Sequence, residues 1–383
     1  MKFKHIELGD IFSIKKGKKV IPTEQNKDSI RYIQIEDLRT DDNIKFCNPE
    51  EKNVIANGND IIIAWDGANA GTVSYGLNGA IGSTLAILHP KNNDNINISY
   101  IGKFLQSKFK YLRDNCTGAT IPHIQKQVLL NLIIPLPLLE TQEKIVDVLD
   151  KAQELINKRK EQIEKLEEFI QSVFLDMFGY IARNTKQWTS EKLGENTLLV
   201  SSGSTPKGGS KSYLSEGIPL IRSQNILMNK IDFDNIAYIS DETHNKMRRS
   251  HVYYNDVLLN ITGASIGRIA VYKNKEKVAN VNQHVCIIRL NQKINPYYLS
   301  FTIATPYFQN LINKQNAGAT RQALNYSQIK EFDILIPPID LQNKFASIVE
   351  KTEQQKELLQ KSLTEMENNF NSLMHRAFKG DLF

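Results

Sequence analysis

The residues from Glu140 to Phe178 constrain this chain most. The run ETQEKIVDVLDKAQELINKRKEQIEKLEEFIQSVFLDMF contains neither Pro nor Gly. Its apolar residues recur at steps of four and three: Ile145, Leu149, Ala152, Ile156, Ile163, Leu166, Ile170, Val173 and Met177, with Arg159 the interruption. That spacing winds one apolar stripe along a helix, and its seven-residue period is the seam of a coiled coil. At a rise of about 1.5 Å per residue the rod is about 58 Å long. A helix with a single apolar stripe must bury it against a partner.

The same chain supplies the partner. Two hundred residues on, the pattern returns as Phe345, Val349, Leu359, Leu363, Met366, Phe370, Leu373 and Ala377, with Thr352 and Lys356 as exceptions. Identities fall at the same offset without a gap: Gly118-Ala119-Thr120 on Gly318-Ala319-Thr320, Pro137 on Pro337, Gln142 on Gln342, Lys144 on Lys344 and Phe178 on Phe378. One amphipathic helix alone would read as a core helix. Two in register, each closing a half-chain, predict a paired helical spacer and an internal repeat. The expected fold class is α+β, with two globular α/β domains separated by two long helices packed as an antiparallel coiled coil in pseudo-twofold repeat. The expected boundaries are 1–139, 140–179, 180–339 and 340–383.

Charge divides along the same lines. Residues 140–178 hold ten acids and six bases and residues 340–379 hold six of each, so the chain's net +6 leaves +10 on everything outside the two helices. Basic globules suit a polyanionic partner, whereas neutral or acidic rods suit protein contacts. No run of about eighteen apolar residues exists to span a membrane, and MKFKHIELGD lacks the apolar core of a signal peptide. Cys47, Cys116 and Cys286 have no metal-type spacing and suit the reducing cytoplasm.

The first half begins with alternating apolar residues and a basic turn, Lys15-Lys16-Gly17-Lys18-Lys19. That turn is either a solvated loop or a phosphate-contacting one; it is not a nucleotide-type phosphate loop, because GxxxxGK[ST] is absent. IRYIQIEDL (30–38) is strand-like. NDIIIAWDGANAGTVSY (59–75) reads as a buried strand, a Gly-rich turn and another strand, GAIGSTLAIL (79–88) as a further strand, and residues 100–115 have helical spacing. At the joint, residues 117–144, Gly118 and Thr120 predict a turn and residues 124–130 a short helix. LIIPLPL is extended because its prolines forbid helix, and Thr141 is a candidate cap of the rod.

The second half repeats this order. Leu193-Gly194 echoes Leu8-Gly9, IPLIRSQNI echoes IRYIQIEDL, and SSGSTPKGGSKSY replaces the basic turn. In NDVLLNITGASIGRIAVY (255–272), Asn255, Asp256, Gly263, Ala264 and Gly267 fall on Asn59, Asp60, Gly67, Ala68 and Gly71. The glycines keep a backbone frame. Between them the contents change, Trp65-Asp66 against Ile261-Thr262 and Ala70 against Ile266, as they would in one scaffold serving two targets or through drift after an ancient duplication. VNQHVCIIRL (281–290) takes the place of GSTLAIL.

Catalytic signatures are missing. There is no HExxH, paired CxxC or GxGxxG, and no Asn/Asp-Pro-Pro-aromatic motif of the amino-methyltransferase kind. His123, His251 and His284 read as structural or polar-contact residues rather than metal ligands, and Asp66 and Asp256 show no acid/base partner in the sequence.

This layout resembles the specificity subunit of type I restriction–modification systems over nearly the whole chain. The resemblance rests on GATIPHI…IPLPLLETQEKIVDVLD, on GATRQALNYSQIKEFDILIPPIDLQNKFASIVE, on SGSTPKGG with Tyr213 and IPLIRSQNI, and on the ending MHRAFKGDLF. Ile14 to Lys19 departs from the Gly-Thr/Ser-Thr-Pro loop usual in the family. The resemblance implies a non-catalytic DNA reader. Target recognition domains would each bind half of a split, asymmetric site in double-stranded DNA. The rods would set their separation, and two methyltransferase subunits would dock on rods and joints, with restriction subunits joining. No cofactor is expected on this chain; S-adenosylmethionine, ATP and Mg would belong to those partners.

The candidate DNA contacts in the first half are Lys16, Lys18, Lys19, Gln34, Trp65, Asn69, Thr72 and Thr120. In the second they are Lys207, Lys211, Arg222, Gln224, Asn225, Thr262, Arg268 and Arg321. Lysines attract the duplex irrespective of sequence, and amides and arginines select bases. The alternative is a coiled-coil adaptor with nonspecific nucleic-acid affinity; a lone nuclease or methyltransferase of unrecognised type is a third reading.

Overall fold

A computed structural model describes residues 3–92, 95–118, 120–315 and 323–383. The chain forms two compact units, Met1–Glu161 with Lys361–Phe383, and Gln162–Gln360. In the first unit an antiparallel sheet runs in the order Phe12–Lys16, Leu85–Pro90, Ile61–Ala64, Val73–Tyr75. A second sheet runs Lys45–Cys47, Ile30–Ile33, Gly79–Ile81, Ile55–Ala56, its parallel pair joining Tyr32 to Ala80 and Ile33 to Ile81. The second unit repeats both. One sheet is Thr197–Ser202, Val285–Leu290, Val257–Asn260, Ile269–Val271. The other is Ala237–Ile239, Ile218–Ile221, Ala279–Val281, His251–Val252, again with one parallel pair. A hairpin, Ile226–Leu227 with Lys230–Ile231, is added in the second unit.

The unbroken apolar run Ile61-Ile62-Ile63-Ala64 follows from this layering. Ile61 and Ile63 enter the core against the helices, while Ile62 and Ala64 enter the core against the other sheet, so no position is left for a polar residue. Val257 and Leu259 against Leu258 divide the same way. GAIGSTLAIL is two strands rather than one: its chain turns at Gly82, so that Gly79–Ile81 and Leu85–Pro90 lie in different sheets. At the corner of each unit two backbones nearly touch. A Cβ on Gly17 would lie 2.1 Å from the Gly82 carbonyl oxygen, and one on Gly203 would lie 1.7 Å from that of Val281. Gly17 and Gly203 therefore occupy one structural position, although their loops share little else.

The stretch over residues 100–115 is two helices, Ile98–Ser107 and Phe109–Asp114. The first ends where the Ser107 hydroxyl turns back onto the Phe104 carbonyl at 2.6 Å. The joints hold Lys126–Leu130 and Tyr326–Lys330 as one-turn helices. Ile133–Leu136 and Asp333–Ile336 are strands paired with Lys4–Glu7 and Thr189–Lys192.

The long helices are Leu139–Phe178 and Ile339–Lys379. Thr141 is not a cap: the helix already begins at Leu139, and the Thr141 amide donates to the Leu138 carbonyl. A buried glutamine ties each helix start to its domain instead. Gln142 donates to the carbonyls of Asn95 and Pro137 and accepts from the Asn97 amide; Gln342 does the same with Lys293, Pro337 and Asn295.

Within each unit, segments of the two helices run antiparallel. In the first unit Ile145 and Leu149 share a core with Phe370, Leu373 and Ala377, Ile156 and Leu363 are buried further along, and Lys160 pairs with Glu367 at 2.9 Å. In the second, Ile170, Phe174 and Phe178 meet Phe345 and Val349, and Lys356 pairs with Glu167. Ile163 is buried, and Leu166, Val173, Leu359 and Met366 are partly buried. The exceptions in the stripe are accommodated. Thr352 is buried with its hydroxyl on the Ile348 carbonyl, and Lys356 reaches Glu167. Phe378 meets Tyr100 and Phe104 edge-on, each with centroids 5.3 Å apart, and Phe178 lies 4.7 Å from Tyr298.

Candidate nucleic-acid interface

In both units the first sheet, the corner turn and the joint converge on one point, the residue after Trp65 or Ile261. The Trp65 amide donates to Thr84 and the Ile261 amide to His284. The Ile124 amide donates to the Trp65 carbonyl, as Leu324 does to Ile261. Asp66 and Thr262 thus stand at equivalent positions, each bridged to its joint, at His123 and Ala323 respectively.

Their surroundings differ. In the first unit the Asp66 carboxylate accepts from Lys16 Nζ at 2.7 Å and from His123 Nδ1 at 2.6 Å. Burial tends to raise the Asp66 pKa, but the hydrogen bonds and charges of Lys16 and His123 outweigh it, so the carboxyl is held below the usual range. Arg113 donates to the Gly67 carbonyl at 3.0 Å. Arg39 donates to the Asn69 side chain at 2.7 Å and to the Thr72 hydroxyl at 3.4 Å. A basic group of Lys16, Arg39 and Arg113 therefore surrounds the turn, with a single carboxylate inside it. Gly67 shapes the turn through a φ of +94°, and a Cβ there would meet nothing, so backbone conformation rather than packing requires glycine.

In the second unit the Thr262 hydroxyl lies 2.6 Å from His284 Nδ1. His284 Nε2 lies 3.0 Å from the Gln283 amide nitrogen, and Gln283 accepts from the Thr205 hydroxyl. Ser202, at the strand position matching Lys16, meets the Tyr326 hydroxyl at 2.5 Å. An imidazole abuts the central side chain in both units. It comes from the joint in the first and from the corner turn in the second.

The structure brings Lys16, Asn69 and Thr72 to this face, with Trp65 beside them partly buried against the core. Lys18, Lys19 and Thr120 are exposed on adjoining loops. Gln34 sits apart, accepting from Lys45 at 2.6 Å. In the second unit Lys207, Lys211, Gln224 and Arg268 are exposed and Thr262 is half-buried. Arg222 is engaged internally, donating to the Asn235 carbonyl at 2.8 Å and lying over the Tyr213 ring. Asn225 is turned away from solvent, 2% exposed, with its amide on the Asp232 carbonyl and its oxygen on the Arg222 amide, and it shapes the loop from within. Arg321 lies outside the described residues.

Sequence reading left Asp66 and Asp256 without partners, and the structure supplies them. Asp256, 1% exposed, takes both forks of Arg289 at 2.8 and 2.7 Å, and those hydrogen bonds raise the arginine's pKa. Arg39, His123, Gln283 and His284 were not singled out as site residues. The signals that point toward them are the unlike pair Trp65-Asp66 and Ile261-Thr262 at a repeated position and the reading of His123 and His284 as structural or polar-contact residues. Among the described residues no cluster of three His, Cys, Asp or Glu could hold a metal, and no helix is long and apolar enough to cross a membrane.

A scaffold used twice, with a polar face refurnished at the same position, defines a duplicated recognition protein. The chain belongs to the family of the type I restriction modification DNA specificity domain, whose model matches residues 1–165 and again 185–368. It is 25% identical to the MjaVIII specificity subunit of Methanocaldococcus jannaschii, over 98% of this chain and 92% of that one. It is 23% identical to the EcoBI specificity subunit of Escherichia coli, over 76% and 66%. Its fold is similar to that of the type I S subunit of M. genitalium, with TM-score 0.57, 16% identity and coverage of 98% and 96%. A chain solved in a study of assembly and conformational transition in the type I restriction–modification system gives TM-score 0.62, 16% identity and coverage of 100% and 98%. The family's role is DNA sequence recognition in type I restriction–modification.

Proposed function

We propose that this chain reads a bipartite, asymmetric site in double-stranded DNA, one unit to each half, and carries no chemistry itself. The observation that supports this best is the repeated corner at Asp66 and Thr262, where one backbone frame holds different polar side chains. Two half-sites of different sequence require that combination. The long helices act as the spacer, because the separation and phase of two half-sites along B-DNA, about 34–36 Å per turn, need a rigid strut. Two weak readings on one body then reinforce each other.

In this reading two methyltransferase subunits dock on the helices and joints, and restriction subunits join them. S-adenosylmethionine, ATP and Mg act on those partners, and the complex works in the cytoplasm. The exposed lysines supply salt-dependent attraction and the polar corners supply selection. Binding of the complex to its methylated duplex and to a scrambled duplex, measured across a salt series, tests this. The expected result is a preference for the methylated sequence that survives at salt high enough to abolish binding to the scrambled one. Equal, salt-labile binding to both would instead identify a coiled-coil adaptor.

A further inference from the structure

The two corners run their hydrogen bonds in opposite senses. In the first unit the ionised Asp66 can only accept, so His123 must donate from Nδ1. A neutral imidazole with its proton on Nδ1 presents Nε2 as an acceptor. Among the described residues Nε2 has no hydrogen-bond partner, and the His123 side chain is 49% exposed. A carboxylate on a polyanion-binding face repels phosphate, so Asp66 is not there for general attraction. Held by Lys16 and His123 at once, it fixes the imidazole.

In the second unit Gln283 accepts from Thr205, which leaves its amide group facing His284 Nε2 as the donor. His284 then carries its proton on Nδ1 and donates to the Thr262 oxygen. The Thr262 hydroxyl, having accepted, has its own proton to give.

We propose that these corners are the base-reading centres of their units and are of opposite polarity. His123 Nε2 accepts from the exocyclic amino group of an adenine or cytosine, and the Thr262 hydroxyl donates to the carbonyl oxygen of a guanine or thymine. All four groups lie on the major-groove edge of a base pair. Asp66, Gln283 and His284 are positioning residues. The inference rests on the function proposed above and adds which base chemistry each unit selects.

The test uses the full chain assembled with its methyltransferase subunits. Duplexes carry the complex's own methylated motif with one base at a time replaced by an analogue lacking the amino group or the carbonyl oxygen. At one position of one half-site, deleting the amino group should weaken wild-type binding by about three- to tenfold. It should cost the His123→Ala complex nothing further, because the contact is already gone. In the other half-site, deleting the carbonyl oxygen should do the same for wild type and not for Thr262→Val. Gln283→Glu gives the test a sense. A carboxylate there can only accept, so at a pH that keeps the ring neutral His284 moves its proton to Nε2, Thr262 donates inward, and its oxygen faces outward as an acceptor. That variant should move the preference at its position from carbonyl to amino bases. Unfolding midpoints of all three variants are read alongside. If His123→Ala and Thr262→Val discriminate every analogue as wild type does, the inference is overturned and the proposed function stands. If wild type itself does not prefer its motif, the proposed function falls and takes the inference with it.

Discussion

Asp66 shows how far single residues can be read from a sequence and where that reading stops. The change from Trp65-Asp66 to Ile261-Thr262 between matched glycines was visible as a position where content varies on a fixed frame. Its partners were not, because His123 lies 57 residues away and comes from another element, and side-chain pairing over such distances leaves no periodic trace. The pair makes a pH-dependent prediction. Asp66 titrates below its unfolded value, so its contribution to stability is full above the ordinary carboxylate range and is lost as pH falls through the folded value. Asp66→Asn should therefore lower the urea midpoint at neutral pH, and the gap from wild type should close under strongly acid conditions; a constant gap would show that charge is not the cause. The corner glycine gives a second residue-scale prediction. Gly203→Ala places a Cβ 1.7 Å from a backbone oxygen that cannot move aside without breaking the sheet corner, so soluble yield and the unfolding midpoint should both collapse. Burial pushes the Cys286 thiol up to about 12, and alkylation of the folded protein at neutral pH should leave it unmodified.

Elements were more legible than residues, because helix and strand periods repeat and side-chain contacts do not. The apolar stripe gave both long helices, and the prolines gave the extended joints. Boundaries and breaks were less clear. The helix start at Leu139 depends on Gln142, whose three hydrogen bonds reach Asn95, Asn97 and Pro137, and nothing local in TQEK announces them. The turn at Gly82 was hidden because the segments on either side are both apolar and both strands. The aromatic cluster at the end of the central helix should dominate packing there. Phe178→Ala, at a side chain with no solvent exposure set against Tyr298 and Phe345, should cost about 3–5 kcal/mol in chemical denaturation. Leu155→Ala, more than half exposed on the same helix, should cost little.

The duplication was readable for the whole molecule because matched motifs return in the same order about two hundred residues on, without a gap from the joint through the long helix, so fold class followed from one repeat. The target could not be read, since loop side chains follow no code that converts them to bases. The spacer reading predicts a graded change. Adding one heptad within residues 150–170 and its counterpart within residues 350–370 lengthens the strut by about 10 Å, or about three base pairs of duplex. The gap between half-sites in the methylated motif should widen accordingly. The most direct measurement is a map of methylated adenines in a genome carrying this chain with its methyltransferase, compared with the same genome lacking the chain. Methylation that depends on the chain and falls in a split motif, two unlike half-sites with one fixed gap, is the predicted result. A continuous motif, or a map unchanged by removing the chain, would contradict the account.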